Sequence, residues 1–367
     1  MIQQEAELSF EAATQAYLAW MARYWAVDEP GLKLKQAKMR DSPFAFLRGT
    51  FYRWPHHFAA VPDEVRSAPS FLIVGDTHLE NFGTWRDREG RLAWGINDFD
   101  EAAELPVTSD LVRLATSAVL EARREAFQLT AFEAADTILE GYWAHLKFGP
   151  EPFILEDRHA WLRDLAAATG NNARRHWRKL LNQKEVDEHT VPEEARSLLR
   201  SHLPAEAAPV RFFRRLAGLG SLGRPRFMAM AEWCGGLVAR EAKAAIPSAV
   251  HAAVSEIDDP TGPSRRAVEQ ACRAPDPALH IGERWVVRRL SPEARKVEID
   301  EVEHAPDQKH FLHAMGRELA NVHLGSAGGA ALIRSCLERL PDDWLRTASC
   351  LAAARVQEDY ETFLRGS

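Results

Sequence analysis

The chain has 367 residues, 46% hydrophobic and 27% charged, so it can bury a large core and does not have the composition of a disordered segment. Its formal net charge of -7 argues against a general binder of nucleic acid or anionic membranes. No stretch approaches the roughly 20 apolar residues of a membrane-spanning helix, and Cys234, Cys272, Cys336 and Cys350 form no CxxC pair, as expected of reduced thiols in a cytoplasmic protein.

Residues 1–27 read as an amphipathic helix, since a basic start and a small-residue cleavage site are both lacking. Helical character continues to about residue 40, broken near Glu29-Pro30-Gly31. Strands are expected at 71–75 and 92–97, flanking a turn with Asp87, Arg88, Glu89 and Gly90 in a hairpin-like arrangement. From Ser109 to about Leu203 the pattern is helical almost throughout, and Ser109-Asp110 is its start signal. Residues 210–245 read as short strands separated by glycines. A linker, IDDPTGPS (257–264), leads to a short helix, SRRAVEQACRA (264–274), and a strand, RWVVRRL (284–290). Helices return from about 306. The pattern predicts an α+β protein with a helical lobe over 1–207, a small β-rich lobe over 208–300 and C-terminal helices over 301–367. A cleft between the two lobes is the expected site.

Asp76 and Asn81 share a D-x-x-x-x-N spacing at the end of a strand. Phosphotransferases of the protein-kinase kind use this loop to set a carboxylate against the acceptor hydroxyl and an amide oxygen against Mg²⁺. After one more strand comes NDFDEA (97–102), which matches the metal-holding element of the same machinery, with Asp98 as ligand and Asp100 as a second. Asp110 is read as an N-cap or as a buried anchor for the catalytic-loop backbone. His78 and Glu80 read as structural and solvated residues.

Gly218, Gly220, Ser221 and Gly223 lie in GLGSLG between two strands, where a loop covering ATP phosphates would sit. Of the two cations in LVAREAK (237–243), Arg240 is the better phosphate grip by strand parity, because Glu241 on the face of Lys243 suits an adenine pocket badly. Glu269 is its candidate acidic partner on a helix.

SPFAFLRG (42–49), GDTHLENFG (75–83), NDFDEA, SDLVRLATS (109–117), GLGSLG, REAK (240–243) and VVRRL (286–290) together resemble a bacterial family, domain of unknown function 2252. That family is grouped with the protein-kinase-like and aminoglycoside-phosphotransferase-like folds, and the matches span about residues 38–325. The resemblance implies a two-lobed kinase-like fold. The catalytic elements here precede the glycine loop, which implies a circular permutation. The helix FLHAMGRELANVHLG (311–325) then resembles the one that runs just before a catalytic loop. Where the family pattern puts Lys, this chain has Arg240, and the two cations meet phosphates differently.

The expectation is an ATP- and Mg²⁺-dependent phosphotransferase acting on a small-molecule hydroxyl, without nucleic-acid or membrane partners. A catalytically weak nucleotide-binding module and an AMP transferase are the alternatives. Asp76 would orient the acceptor, Asn81, Asp98 and Asp100 would hold metal, and Arg240 or Lys243 would grip phosphates.

Overall fold

The computed structural model describes residues 8–122, 127–156, 158–168, 173–252, 257, 259–297, 299, 302, 304–326 and 328–366. The first seven residues of the expected N-terminal helix and residue 258 of the expected linker lie outside these. The fold is mixed α+β, with sheets of two, three and six strands.

Helices α1 (Phe10–Met21) and α2 (Glu29–Met39) open the chain. Pro30 falls in the first turn of α2, where a missing N–H costs no helical hydrogen bond. Helix α3 (Pro43–Gly49) starts at Ser42, whose side chain accepts the Ala45 N–H at 3.1 Å. Strand β1 (Ser70–Ile73) pairs antiparallel with β4 (Ala103–Pro106), while β2 (Phe82–Arg86) and β3 (Leu92–Ile96) form a hairpin between them. Both strands expected from the sequence exist, but they do not pair with each other. FGTWR (82–86), to which no strand was assigned, is the partner of the second strand.

The rearrangement follows from helix α4 (Thr108–Glu121), every residue of which is buried. Asp110 in its first turn is fully buried and accepts the backbone N–H of Val74 at 2.8 Å and of Gly75 at 2.9 Å. This turns the chain out of β1 at Gly75, whose φ of +84° and contact with the Glu101 backbone leave no room for a side chain: a Cβ would lie 2.1 Å from the Glu101 carbonyl oxygen. The chain can re-enter the sheet only after Asn81. Around α4 pack α5 (Ala131–Phe148), α10 (Ala305–His323) and α12 (Trp344–Arg365). Helices α5 and α10 approach backbone to backbone at Gly141 and Gly316, where a Cβ would meet a carbonyl oxygen of the facing helix at 2.0 Å. Strand β5 (Phe153–Ile154) adds a third member to the hairpin sheet. Helices α6 (Ala160–Ala168) and α7 (Ala173–Leu181) follow.

The six-stranded antiparallel sheet comprises β6 (Lys184–Val186), β7 (Arg211–Arg214), β8 (Arg226–Trp233), β9 (Gly236–Ala244), β10 (His280–Ile281) and β11 (Trp285–Leu290), in the order β10-β11-β9-β8-β7-β6. It begins at residue 184, inside the stretch read as helical to 203. Helix α8 (Glu193–Ser201) covers one face, setting Ala195 and Leu199 on Phe212, Ala229, Ala242 and Val287. Helix α9 (Gly262–Gln270) touches this sheet only at its edge, through Arg265 and the Ile281 carbonyl oxygen, and buries its apolar side elsewhere. Its Ala267 joins the main helical core, against β1, β4 and α10. Helix α11 (Gly329–Leu337) precedes α12. Among the described residues, no helix is long and apolar enough to cross a membrane.

Asp110 also meets His323 Nε2 of α10 at 3.1 Å, so one buried carboxylate holds β1, α4 and α10 together. Asp110→Ala should lower unfolding free energy by about 3–5 kcal/mol, because it strands buried donors that no water reaches. Urea unfolding measures it, and a loss below about 1 kcal/mol would contradict this account.

Candidate functional site

Three segments far apart in sequence line one small cavity of about 60 Å³: Asp76, His78 and Asn81 from the first loop, Asp98, Asp100 and Glu101 from the second, and Gly218 to Ser221 from the glycine turn. Arg48, Arg224 and Lys296 complete the wall. The volume suits a few waters and not a triphosphate.

The first loop is held rigidly. Asn81, buried, donates from Nδ2 to the carbonyl oxygens of Asp76 at 3.1 Å and Asp98 at 3.0 Å, and its Oδ1 accepts the Asp98 N–H at 3.1 Å. One amide thus ties the two acidic loops together and keeps one lone pair of its oxygen free. Asp76 Oδ1 accepts from Arg113 Nε at 2.9 Å and from Arg113 Nη2. The Arg113 side chain is fully buried between Phe51 and Trp54, with its guanidinium carbon 4.8 and 4.9 Å from their ring centres. The second oxygen of Asp76 faces the glycine turn: a Cβ on Gly220 would lie 3.6 Å from Oδ2 and 3.3 Å from the Arg48 carbonyl oxygen.

Lys243, and not Arg240, reaches the acidic loops. Its Nζ donates to Asp98 at 3.0 and 3.1 Å and lies 2.7 Å from Asp100, while its side chain is 1% exposed. Arg240 points to the opposite face of β9, the face covered by α8. There Arg289 stands directly across from it, and burial together with Arg289 lowers its pKa to about 10. The parity argument was sound about the two faces and mistaken about Glu241. That carboxylate does sit on the cleft face, where Arg226 at 2.7 Å, Arg215 and Arg288 neutralise it and outweigh the upward pull of burial on its pKa. Glu269 does not stand behind either cation, since it is exposed on α9, which packs elsewhere. The acids that pair with the sheet's cation are Asp98 and Asp100 themselves.

Asp98 is the more open of the two, its side chain 38% exposed. Burial would raise its pKa, but Lys243 and Arg288 hold it well below the usual carboxylate range, so it is an anion at any ordinary pH. Arg224, the first residue after the glycine turn, reaches Asp100 at 3.1 Å and Glu101 at 3.3 Å. On the other flank, buried Lys35 of α2 donates to the Gly220 carbonyl oxygen at 3.1 Å, and the Asp28 N–H donates to the Gly223 carbonyl oxygen at 2.8 Å. Gly218 has a φ of +74° and Gly223 one of +99°, the left-handed conformations that let this turn fold back on the cleft.

Asp98, Asp100 and the Asn81 amide are hard oxygen donors. Among the described residues, no three His, Cys, Asp or Glu side chains form a group that could hold a metal by themselves. Two carboxylates and an amide are what a magnesium ion needs when phosphates and water supply the remaining positions, so the donor set fits. Sequence reasoning passed over Arg48, Arg113, Arg224, Glu101, Lys35 and Lys296. Arg113 alone carried a signal, as the one charge inside the apolar run of α4.

Burial raises the Glu101 carboxyl to about 7 from an ordinary 4.5, despite Arg224 and the Ala249 N–H that it accepts. Folding therefore takes up a proton here between those values. This contribution is complete below pH 4.5 and is lost as pH rises through about 7. Glu101→Gln should thus gain stability relative to the unaltered chain between about pH 5 and pH 8. Urea midpoints of both proteins across that range test it, and a flat difference would contradict the raised pKa.

No curated protein and no solved structure matches the chain. A family model, described as an uncharacterized protein conserved in bacteria (DUF2252), matches residues 28–200 and 188–366. These two spans take in both acidic loops, the glycine turn and Lys243, and on them the chain belongs to that bacterial family.

Proposed function

We propose that the chain is an ATP- and Mg²⁺-dependent phosphotransferase of the protein-kinase-like superfamily, circularly permuted, acting on the hydroxyl of a small molecule. One observation carries the reading. Gly220 lies against Asp76, and Lys243 bridges Asp98 and Asp100, although more than a hundred residues separate the acidic loops from the glycine turn. Nothing local brings these segments together, and a phosphoryl-transfer site requires this combination. A small acceptor is favoured because only seven residues, 103–109, separate the second acidic loop from Asp110, too few for a phosphorylatable activation segment.

In this reading Asp76 receives the acceptor's proton on the oxygen that Arg113 leaves free, and Arg113 fixes the carboxylate's orientation. Asp98, Asp100 and the free lone pair of Asn81 would hold Mg²⁺, which when bound offsets charge on the phosphates. Lys243 would exchange its carboxylate partners for phosphate oxygens, and the glycine turn would lift from Asp76 to admit them.

A second reading, a nucleotide-binding module without turnover, is supported by the seat of Gly220 on Asp76 and by the full engagement of Lys243. Separate incubations with γ- and α-labelled ATP discriminate. Label transferred from the γ position only is the expected result, transfer from α would mean nucleotidyl transfer, and transfer from neither would favour the binding module.

Two sets of variants sharpen the assignment. Lys243→Met should weaken Mg·ATP binding by about 10-fold or more, and Arg240→Met by no more than about 2-fold, because only the first loses a charge-assisted contact. Calorimetry yields both numbers, and the reverse order would restore Arg240 as the grip. Asp76→Asn should cut turnover by about 10²-fold with ATP affinity nearly intact. An unchanged rate would remove Asp76 from the chemistry.

A further inference from the structure

One wall of the cavity has no part in that scheme: Arg48, His78 and Lys296. Three separate segments supply it. Arg48 is the next-to-last residue of SPFAFLRG, with its guanidinium 5.3 Å from the Phe44 ring centre and its Nη2 2.6 Å from Glu80. His78 meets the same Phe44 ring edge-on at 6.1 Å, and its Nδ1 accepts the Glu80 N–H at 3.1 Å. Burial, with Arg48 and Lys296 beside it, keeps the imidazole neutral at ordinary pH. Lys296 arrives on the chain that leaves the six-stranded sheet. There the Thr84 N–H donates to the Arg295 carbonyl oxygen at 2.8 Å, and Gly83 of β2 bridges antiparallel to Lys296.

Among the described residues, the Lys296 ammonium has neither an ion-pair nor a hydrogen-bond partner. Glu80, the acid nearest in effect, is already taken by Arg48. Asp98 also draws on Lys296, but it is already engaged by Lys243 and Arg288, so the Lys296 charge has no carboxylate of its own at the cavity wall. Burial brings the Lys296 pKa down to about 8, which leaves the amine mostly charged at neutral pH. A half-buried cation without a close counter-ion costs a fold stability, so one kept on the cavity wall that Asp76 also lines points to a ligand.

We propose that this wall anchors the acceptor, and that the acceptor is an anionic small molecule whose carboxylate or phosphate is held by Lys296 and Arg48 while Asp76 faces its hydroxyl. The acceptor's role rests on the phosphotransferase reading, whereas the anion site needs only the geometry above. In the transfer, the acceptor hydroxyl oxygen forms a bond to the γ-phosphorus of ATP, the bond from that phosphorus to the β–γ bridging oxygen breaks, ADP leaves, and the hydroxyl proton passes to Asp76. An anionic group pairs the spare charge of Lys296, a neutral polyol leaves it unpaired, and a polycationic acceptor is repelled.

Thermal melts of the full chain test the site, with inorganic phosphate or malonate replacing chloride at constant ionic strength. The unaltered protein should melt about 3 °C or more higher in at least one of the two, and which anion works tells phosphate from carboxylate. Lys296→Met should melt at or above the unaltered protein in chloride and lose most of the anion shift, and Lys296→Arg should recover it. An equal anion shift in Lys296→Met would overturn the proposal, as would a lower melt of that variant in chloride, the sign of a merely structural lysine. A loss of Mg·ATP affinity of about 10-fold in Lys296→Met would overturn it too, by assigning the lysine to the nucleotide. If the unaltered protein binds no Mg·ATP but keeps a Lys296-dependent anion shift, the anion site stands and the phosphotransferase reading falls.

Discussion

The carboxylate of Asp110 fixes the point from which the rest of this site is built. It is fully buried, and its oxygens are spent on the Val74 and Gly75 N–H groups and on His323. The Thr77 hydroxyl donates to the Asp110 carbonyl oxygen at 2.9 Å, adding a fourth tie. With two consecutive backbone donors claimed by a helix-borne acid, β1 cannot continue, and Asp76 is delivered at a bend whose shape is set from behind. Tyr142 supports the arrangement from α5, its hydroxyl 2.9 Å from His323 Nδ1. An acid in that position adds little net stability, since desolvating it costs about as much as its bonds return, but it leaves the loop few alternatives.

The contact between the six-stranded sheet and the acidic loops is of another kind. Apolar packing holds α8 to the opposite face of the sheet, whereas the cleft face carries Lys243, Arg226, Arg288 and Glu241. Lys243 to Asp98 and Asp100, Arg224 to Asp100 and Glu101, and Arg288 to Asp98 form the ionic links across the cleft. Such links exchange partners more readily than an apolar seam reopens. A phosphate or a metal ion competes directly for the same charges. The glycine turn is seated on Asp76 and strapped by Lys35 on its cleft side, while Leu219 and Leu222 anchor it in the main core.

Much of the local structure was legible in the sequence. The helical periodicity of residues 109–121, 131–148 and 305–323 and the alternation of 226–244 correspond to real elements. The strand-end loop GDTHLENFG, the second loop NDFDEA and the glycine turn were each singled out by residue type and spacing, and the three line one cavity. Less visible was FGTWR: a glycine and an arginine weaken its strand pattern, and its place beside β3 follows from the bend that Asp110 imposes. Strand β6 is three residues long and gains its identity only from pairing with β7.

By itself the sequence determined which residue types were available, where the long helices and the main strands of the sheet run, and that Arg240 and Lys243 face opposite ways on one strand. Which of the two faces the acids was a tertiary decision. It depended on three arginines, Arg215, Arg226 and Arg288, coming from other strands and their flanks to neutralise Glu241 on the face of Lys243. Likewise Glu269 was a candidate partner as an acid on a nearby helix, but Ala267 of that helix is buried in the main core and not against the sheet. The side chains that complete the cavity, Arg48, Arg113, Arg224 and Lys296, come from four separate segments. Periodicity and spacing act over a few residues, whereas the pairing of buried charges is settled by whichever opposite charge the packed chain brings within about 4 Å.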